Sequence, residues 1–203
     1  MSAQAELVPG GVASAVAVGA RVVRVVAVSA GHGPASGTTR LAREVAEGTA
    51  AALGRAGLDA EVEVLELRRV ATAVVRALVE HHWEPELVTA VEAVQRADAL
   101  VVATPTVNAS FSGLLKSFLD VLPPNALRSV PTSIAATGGT TRHTLVLDQA
   151  VRPMLGYQRA VVLPSSLFVT ADEWQAERPG VELAERISVA AGELAQFTAV
   201  TLG

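Results

Sequence analysis

Three short stretches carry the residue types from which a ligand site could be built. Ser29 to Thr39 reads SAGHGPASGTT, Thr104 to Ser110 reads TPTVNAS, and Thr137 to Thr140 reads TGGT. The first joins an apolar run to a helical pattern. Small residues there let backbone N–H groups approach an anion, and a helix N-terminus favours negative charge. Ser36, Thr38 and Thr39 add hydroxyl donors, and no Lys or Arg lies between Ser29 and Thr39. An anion would be held by neutral donors, which suits a terminal phosphomonoester better than a triphosphate. A capped helix entry with no ligand fits the same residues. In the second stretch Pro105 stiffens the chain and Asn108 tolerates unusual backbone angles, so exposed N–H groups could bond the edge of a planar heterocycle. The third presents backbone without side chains, which permits close approach of a flat ring or serves a tight turn with positive φ at one glycine.

The elements that position these stretches alternate in type. Val22 to Ser29 (VVRVVAVS) is the run expected of a parallel strand buried on both faces. A helical pattern follows through Leu41, Val45, Ala46, Thr49 and Leu53, with Gly54 and Gly57 at its end. Ala60 to Leu67 alternates like a strand near a sheet edge. Pro85 opens a helix ending near Arg96, Ala99 to Ala103 is a second buried strand, and Thr104 to Ser110 is read as a loop. Phe111, Phe118 and Leu122 are placed on one helix, stopped by Pro123 and Pro124. Ser133 to Ala136 and Ala160 to Leu163 are further strands, with helices over about Thr141–Leu155 and Val181–Thr201. Strands separated by helices imply a parallel sheet covered on both faces by right-handed crossovers. Ligands in such sheets bind outside the carboxyl ends of the strands, and all three stretches leave such ends.

Composition removes several classes. Of 203 residues, 50% are hydrophobic and 18% charged, enough for one sizeable core. The absence of cysteine excludes disulfides, thiolate metal sites and a cysteine nucleophile. A net charge of −4, scattered arginines and 3% aromatics argue against nucleic acid. No transmembrane run or signal peptide is read, so residues 1–20 are expected to be a poorly ordered tail before one domain over 21–203, in the cytoplasm.

Together the motifs resemble the NAD(P)H-dependent FMN reductase family of the flavodoxin-like fold. The matching residues are Ser36-Gly-Thr38, the run from Thr104 to Asp120 (TPTVNASFSGLLKSFLD), and Ala136 to His143 (ATGGTTRH). The last two look most like the reductases that accompany luciferase-like flavin monooxygenases. The resemblance implies a three-layer α/β/α domain with a five-stranded parallel sheet in the order 2-1-3-4-5, FMN and NAD(P)H as cofactors, and a homodimer or homotetramer. It implies that Ser29, His32, Ser36, Gly37, Thr38 and Thr39 hold the FMN phosphate. Pro105, Thr106, Val107, Asn108 and Ser110 would contact the isoalloxazine, bordered by Thr137, Gly138, Gly139 and Thr140. Arg142 and His143 are candidates for a contact to FMN or NAD(P)H, or alternatively surface residues. Many relatives have an Arg where Gly33 stands and an aromatic where Val107 stands, so weak, exchangeable flavin is expected.

The remaining reactive residues are read more plainly. His81-His82, placed in a helix, would point about 100° apart and hold no metal. Lys116 reads as a solvated helix-face charge, and Asp120 as a helix-end charge or an interface partner. Gly-x-Ser-x-Gly is absent, which excludes a serine hydrolase elbow. Hydride transfer needs no protein nucleophile, so no catalytic residue is assigned. An FMN-retaining quinone or azo reductase, and a non-enzymatic interaction protein of the same fold, remain open alternatives.

Overall fold

The computed structural model describes residues 21–176 and 178–202; the expected tail, 1–20, lies outside the described residues. Strand β1 (Val23–Ser29) buries every position but Arg24, as an apolar β-branched run at the centre of a sheet must. Ser36 then caps α1 (Gly37–Arg55), its Oγ accepting from the Thr39 N–H at 3.4 Å. Strand β2 (Ala60–Glu66) alternates in burial and forms one edge. Helices α2 (Ala71–Glu80) and α3 (Pro85–Gln95) follow, then β3 (Ala99–Val107), a two-residue β4 (Ser110–Phe111) and α4 (Gly113–Val121). The chain continues through β5 (Pro131–Thr137), α5 (Arg152–Tyr157), β6 (Val161–Val169), the small hairpin β7 (Trp174–Gln175) and β8 (Arg178–Pro179), and α6 (Val181–Leu202).

The main sheet has six strands, not five. Its path is β2-β1-β3-β5-β6, all parallel, with β4 antiparallel to the end of β3. With β4 set aside, the five parallel strands follow the flavodoxin-like order 2-1-3-4-5. Two apolar clusters fill the faces: Val26 and Val28 turn toward α2, α3, α4 and α5, while Val25 and Ala27 turn toward α1 and α6. Phe118 is fully buried in the first cluster. Phe118→Ala should therefore lower unfolding free energy by about 3–5 kcal/mol, measured by urea denaturation.

Several expectations are corrected. The segment Thr104–Ser110 is not a loop, because β3 runs to Val107 and pairs back with Ser110 and Phe111. Phe111 therefore lies in β4 rather than on a helix with Phe118 and Leu122. The span Thr141–Leu155 is not one helix. It is a 3₁₀ turn at Thr141–His143, a π turn at Leu147–Val151, and then α5. Pro153, which has no N–H to give the carbonyl four residues back, sits where the ladder changes register. Helix α2 was not anticipated, and His81 ends it with φ 57°, so His81-His82 lies beyond the helix. Strand β6 extends past the expected Leu163 to Val169. Its register shifts beside Pro164, and the Arg152 guanidinium donates to the carbonyls of Val162, Leu163 and Pro164 there.

Candidate functional site

The carboxyl ends of β1, β3 and β5 are neighbours in the sheet, and the three sequence stretches meet there through hydroxyl contacts. Thr38 Oγ1 lies 2.6 Å from Thr137 Oγ1, joining the first stretch to the third. His32 Nε2 lies 2.8 Å from Ser112 Oγ, joining the first to the start of α4. Within the first stretch Ser29 Oγ is 2.8 Å from Thr39 Oγ1 and accepts from the Gly31 N–H at 3.3 Å. Gly31 is required by this closeness, because a Cβ there would come 2.0 Å from Ser36 Oγ. The first-turn N–H groups of α1 have no intrahelical acceptor, and no acidic residue stands in that turn. The result is a lip of hydroxyls and N–H donors with no carboxylate between Ser29 and Thr39.

The second and third stretches form the adjoining wall. Asn108 (φ 48°) and Ala109 (φ 66°) make the left-handed two-residue turn between β3 and β4, leaving Val107, Asn108, Ala109 and Ser110 exposed. Pro105 pairs with Thr137 across the sheet. Gly138 packs so tightly that a Cβ would sit 2.6 Å from Phe168 Cζ and 3.4 Å from Thr106 Oγ1. Neither Gly138 nor Gly139 takes a positive φ, so close packing against Phe168, not a left-handed turn, explains the first glycine. Thr106 Oγ1 is buried without a hydrogen-bond partner. Ser133 Oγ, within β5, is likewise buried without a partner, and leaving such a hydroxyl unpaired is costly.

Charges around the rim are managed by pairing. Burial pushes the Glu66 carboxyl up, yet hydrogen bonds and charge from Arg68 and Arg69 outweigh it and hold the group below the usual carboxylate range. Since Glu66 is the strand partner of Ser29, this pairing offsets a negative charge near the hydroxyl lip. The Thr170 hydroxyl and the residue's own amide likewise hold Asp172 below its ordinary value. Arg40, the first cation after the lip, stacks 4.9 Å over Trp174 and donates to the Ala176 carbonyl.

Of the expected site residues, Ser29, His32, Ser36, Thr38, Thr39, Thr106, Thr137 and Gly138 are brought together by these contacts. Gly37 starts α1 beside them, and Gly139 and Thr140 continue the wall. Arg142 and His143 sit in the following 3₁₀ turn, where the Arg142 N–H donates to Thr140 Oγ1 at 3.4 Å; the Arg142 and His143 side chains themselves make no bond among the described residues. Sequence reasoning missed Thr104, Ser112 and Phe168. Ser112 Oγ accepts from the Leu114 N–H as the N-cap of α4, and its own buried N–H donates to Thr104 Oγ1 at 2.9 Å. A serine just before an apolar helix is an N-cap signal and could have marked it. The size of Phe168's role is visible only in three dimensions.

A lip of neutral donors, a backbone wall and an orphan hydroxyl suit a phosphorylated planar heterocycle, and the comparison with known proteins agrees. The pattern of the family described as NADPH-dependent FMN reductase matches residues 23–175. The chain belongs to this family. An FMN reductase (NADPH) of Pseudomonas aeruginosa is 36% identical over 169 residues, covering 83% of this chain and 88% of that protein. An NADH-dependent FMN reductase, SfnF, of Pseudomonas fluorescens is 38% identical over 113 residues, 56% of this chain and 60% of its own length. A solved oxidoreductase from Corynebacterium diphtheriae superposes with a TM-score of 0.83 at 37% identity, over 88% of this chain and 98% of that one. Membership makes this chain an NAD(P)H-dependent FMN reductase, an oxidoreductase with FMN and reduced nicotinamide as its cofactors.

Proposed function

We propose that this FMN reductase binds FMN as an exchangeable substrate and releases the reduced form to a flavin-dependent monooxygenase. The observation that carries the reading is the meeting of the β1–α1 loop, the β3–β4 hairpin and the turn after β5 at one rim, through Thr38–Thr137, His32–Ser112 and Ser112–Thr104. Bound FMN would supply the hydride acceptor for the reduced nicotinamide. The chain's own residues then do the positioning. Ser29, His32, Ser36, Gly37, Thr38 and Thr39 take the phosphate with hydroxyls and N–H groups. Pro105, Thr106, Val107, Asn108 and Ser110 hold one edge of the ring, and Thr137, Gly138, Gly139 and Thr140 border it. Arg142 and His143 serve as an outer contact for FMN or the nicotinamide cofactor. No side chain is given a proton-transfer step.

Two features support weak retention of flavin. Gly33 offers no charge to the phosphate, although a Cβ there would meet nothing within 4 Å, and the exposed Val107 supplies no stacking face. Gly33→Arg should therefore tighten FMN by roughly ten- to a hundredfold, in line with about 1.5–3 kcal/mol for a hydrogen bond from a charged group. Dialysed protein should oxidise NADH or NADPH only when FMN is added back. Stoichiometric flavin surviving dialysis would instead favour the quinone or azo reductase reading. The exposed Val181, Val189, Phe197 and Val200 on α6 support a homodimer or homotetramer of this single domain over 21–203, which we place in the cytoplasm. No described helix is long and apolar enough to cross a membrane.

A further inference from the structure

At the foot of the sheet, opposite the flavin rim, a cleft of about 1260 Å³ opens between the ends of α4 and α5. It is larger than the roughly 300–1,000 Å³ of ordinary small-molecule pockets and open to solvent. Leu119, Leu122 and Met154 give it an apolar floor, and Tyr157 stands on its rim 86% exposed. Lys116 is neutralised by both oxygens of Asp120, at 2.5 and 2.6 Å. Arg128 and Arg159 also line the cleft, and neither forms an ion pair among the described residues. In a chain of net charge −4, two arginines without carboxylate partners beside apolar side chains and an exposed tyrosine are a concentration of interface residue types.

The backbone beneath this cleft is held in a costly conformation. Asn125, Ser129 and Arg159 all adopt left-handed angles, with φ 61°, 64° and 66°. They form one network: the Ser129 N–H donates to the Arg159 carbonyl at 3.0 Å, and Arg159 Nε donates to Asn125 Oδ1 at 3.0 Å. The Arg159 N–H is satisfied in turn by the Gly156 carbonyl. Strain that the surroundings over-determine in this way is a mark of functional surfaces. Here it holds the Arg159 side chain on Asn125 in the lining of the cleft, which Arg128 also lines.

We propose that this cleft docks an acidic segment of a partner protein, glutamate- or aspartate-rich and bearing apolar side chains for the floor. Charge complementarity selects that occupant. The cleft's two arginines without carboxylate partners stand against one lining carboxylate, Asp120, which Lys116 already engages. Because the cleft lies at the amino ends of β5 and β6, its occupant leaves the flavin rim open during turnover.

The test uses the full chain with FMN present and a fluorescein-labelled acidic peptide of glutamate, leucine and phenylalanine, against the same peptide with lysine for glutamate. Anisotropy should show binding of the acidic peptide and none of its counterpart. Arg128→Glu, at a residue whose side chain makes no bond among the described residues, should weaken binding by roughly tenfold or more, and adding Arg159→Glu should weaken it further. NAD(P)H:FMN turnover and molecular mass in solution should stay unchanged. Absence of acidic-peptide binding, equal binding of both peptides, or an affinity indifferent to Arg128→Glu would overturn the proposal. A change of oligomeric mass on Arg128→Glu would also overturn it, by assigning the cleft to a second copy of this chain.

Discussion

Gly31→Ala is expected to weaken FMN binding by about tenfold or more and to lower stability by about 1–3 kcal/mol. The added Cβ would fall 2.0 Å from Ser36 Oγ, 2.7 Å from Ser36 Cβ and 3.3 Å from Ser29 Oγ. Neither serine can yield without loss. Ser36 caps α1 through the Thr39 N–H, a contact worth about 1 kcal/mol in comparable helices. Ser29 holds the Thr39 hydroxyl and the Gly31 N–H. Displacing either rearranges the donors assigned to the phosphate. Gly33→Ala is the control, since its Cβ enters open space and should change little. Fluorescence titration with FMN and urea denaturation read the two effects separately. Lost stability with wild-type FMN affinity would remove the lip from the binding site.

Thr106→Val should produce effects of opposite sign on the free and the liganded protein. In the free chain it removes a buried hydroxyl that has no partner, so stability should hold or rise by up to about 1 kcal/mol. With FMN it removes a hydrogen bond that the flavin would complete, weakening affinity by roughly five- to tenfold on the same scale. Thr106→Ser keeps the hydroxyl and should keep the affinity. A purely structural role for Thr106 predicts the reverse pattern, with Thr106→Val destabilising the free chain and leaving flavin affinity alone. Thermal denaturation without ligand, beside an FMN titration, distinguishes the two.

The sheet was readable in the sequence because its central strands are buried on both faces. Runs such as Val25–Val28 and Leu100–Ala103 leave no other placement for so many β-branched and small apolar side chains. The first and third stretches were readable for a related reason: glycine, serine and threonine cluster where a strand must give way to a turn. What stayed hidden depends on partners distant in sequence. Strand β4 is two residues long and exists only because β3 overruns its expected end. Strand β6 survives Pro164 because Arg152 satisfies the carbonyls around it. Gly138 reads in sequence as room for a flat ring or as a positive-φ turn; its φ is not positive, and Phe168, 30 positions away, packs where a Cβ would stand. In the same way, Ser112 enters the site through His32, which no local pattern connects to it.

Crystallography of the chain grown with FMN locates the ligand directly. Density is expected at the rim, with the phosphate within hydrogen-bonding distance of the Thr38 and Thr39 amides or hydroxyls and the ring between the Thr106 side chain and Gly138. Flavin density confined to any other part of the molecule, such as the trough between the ends of α4 and α5, would contradict the assignment of these loops as the cofactor site.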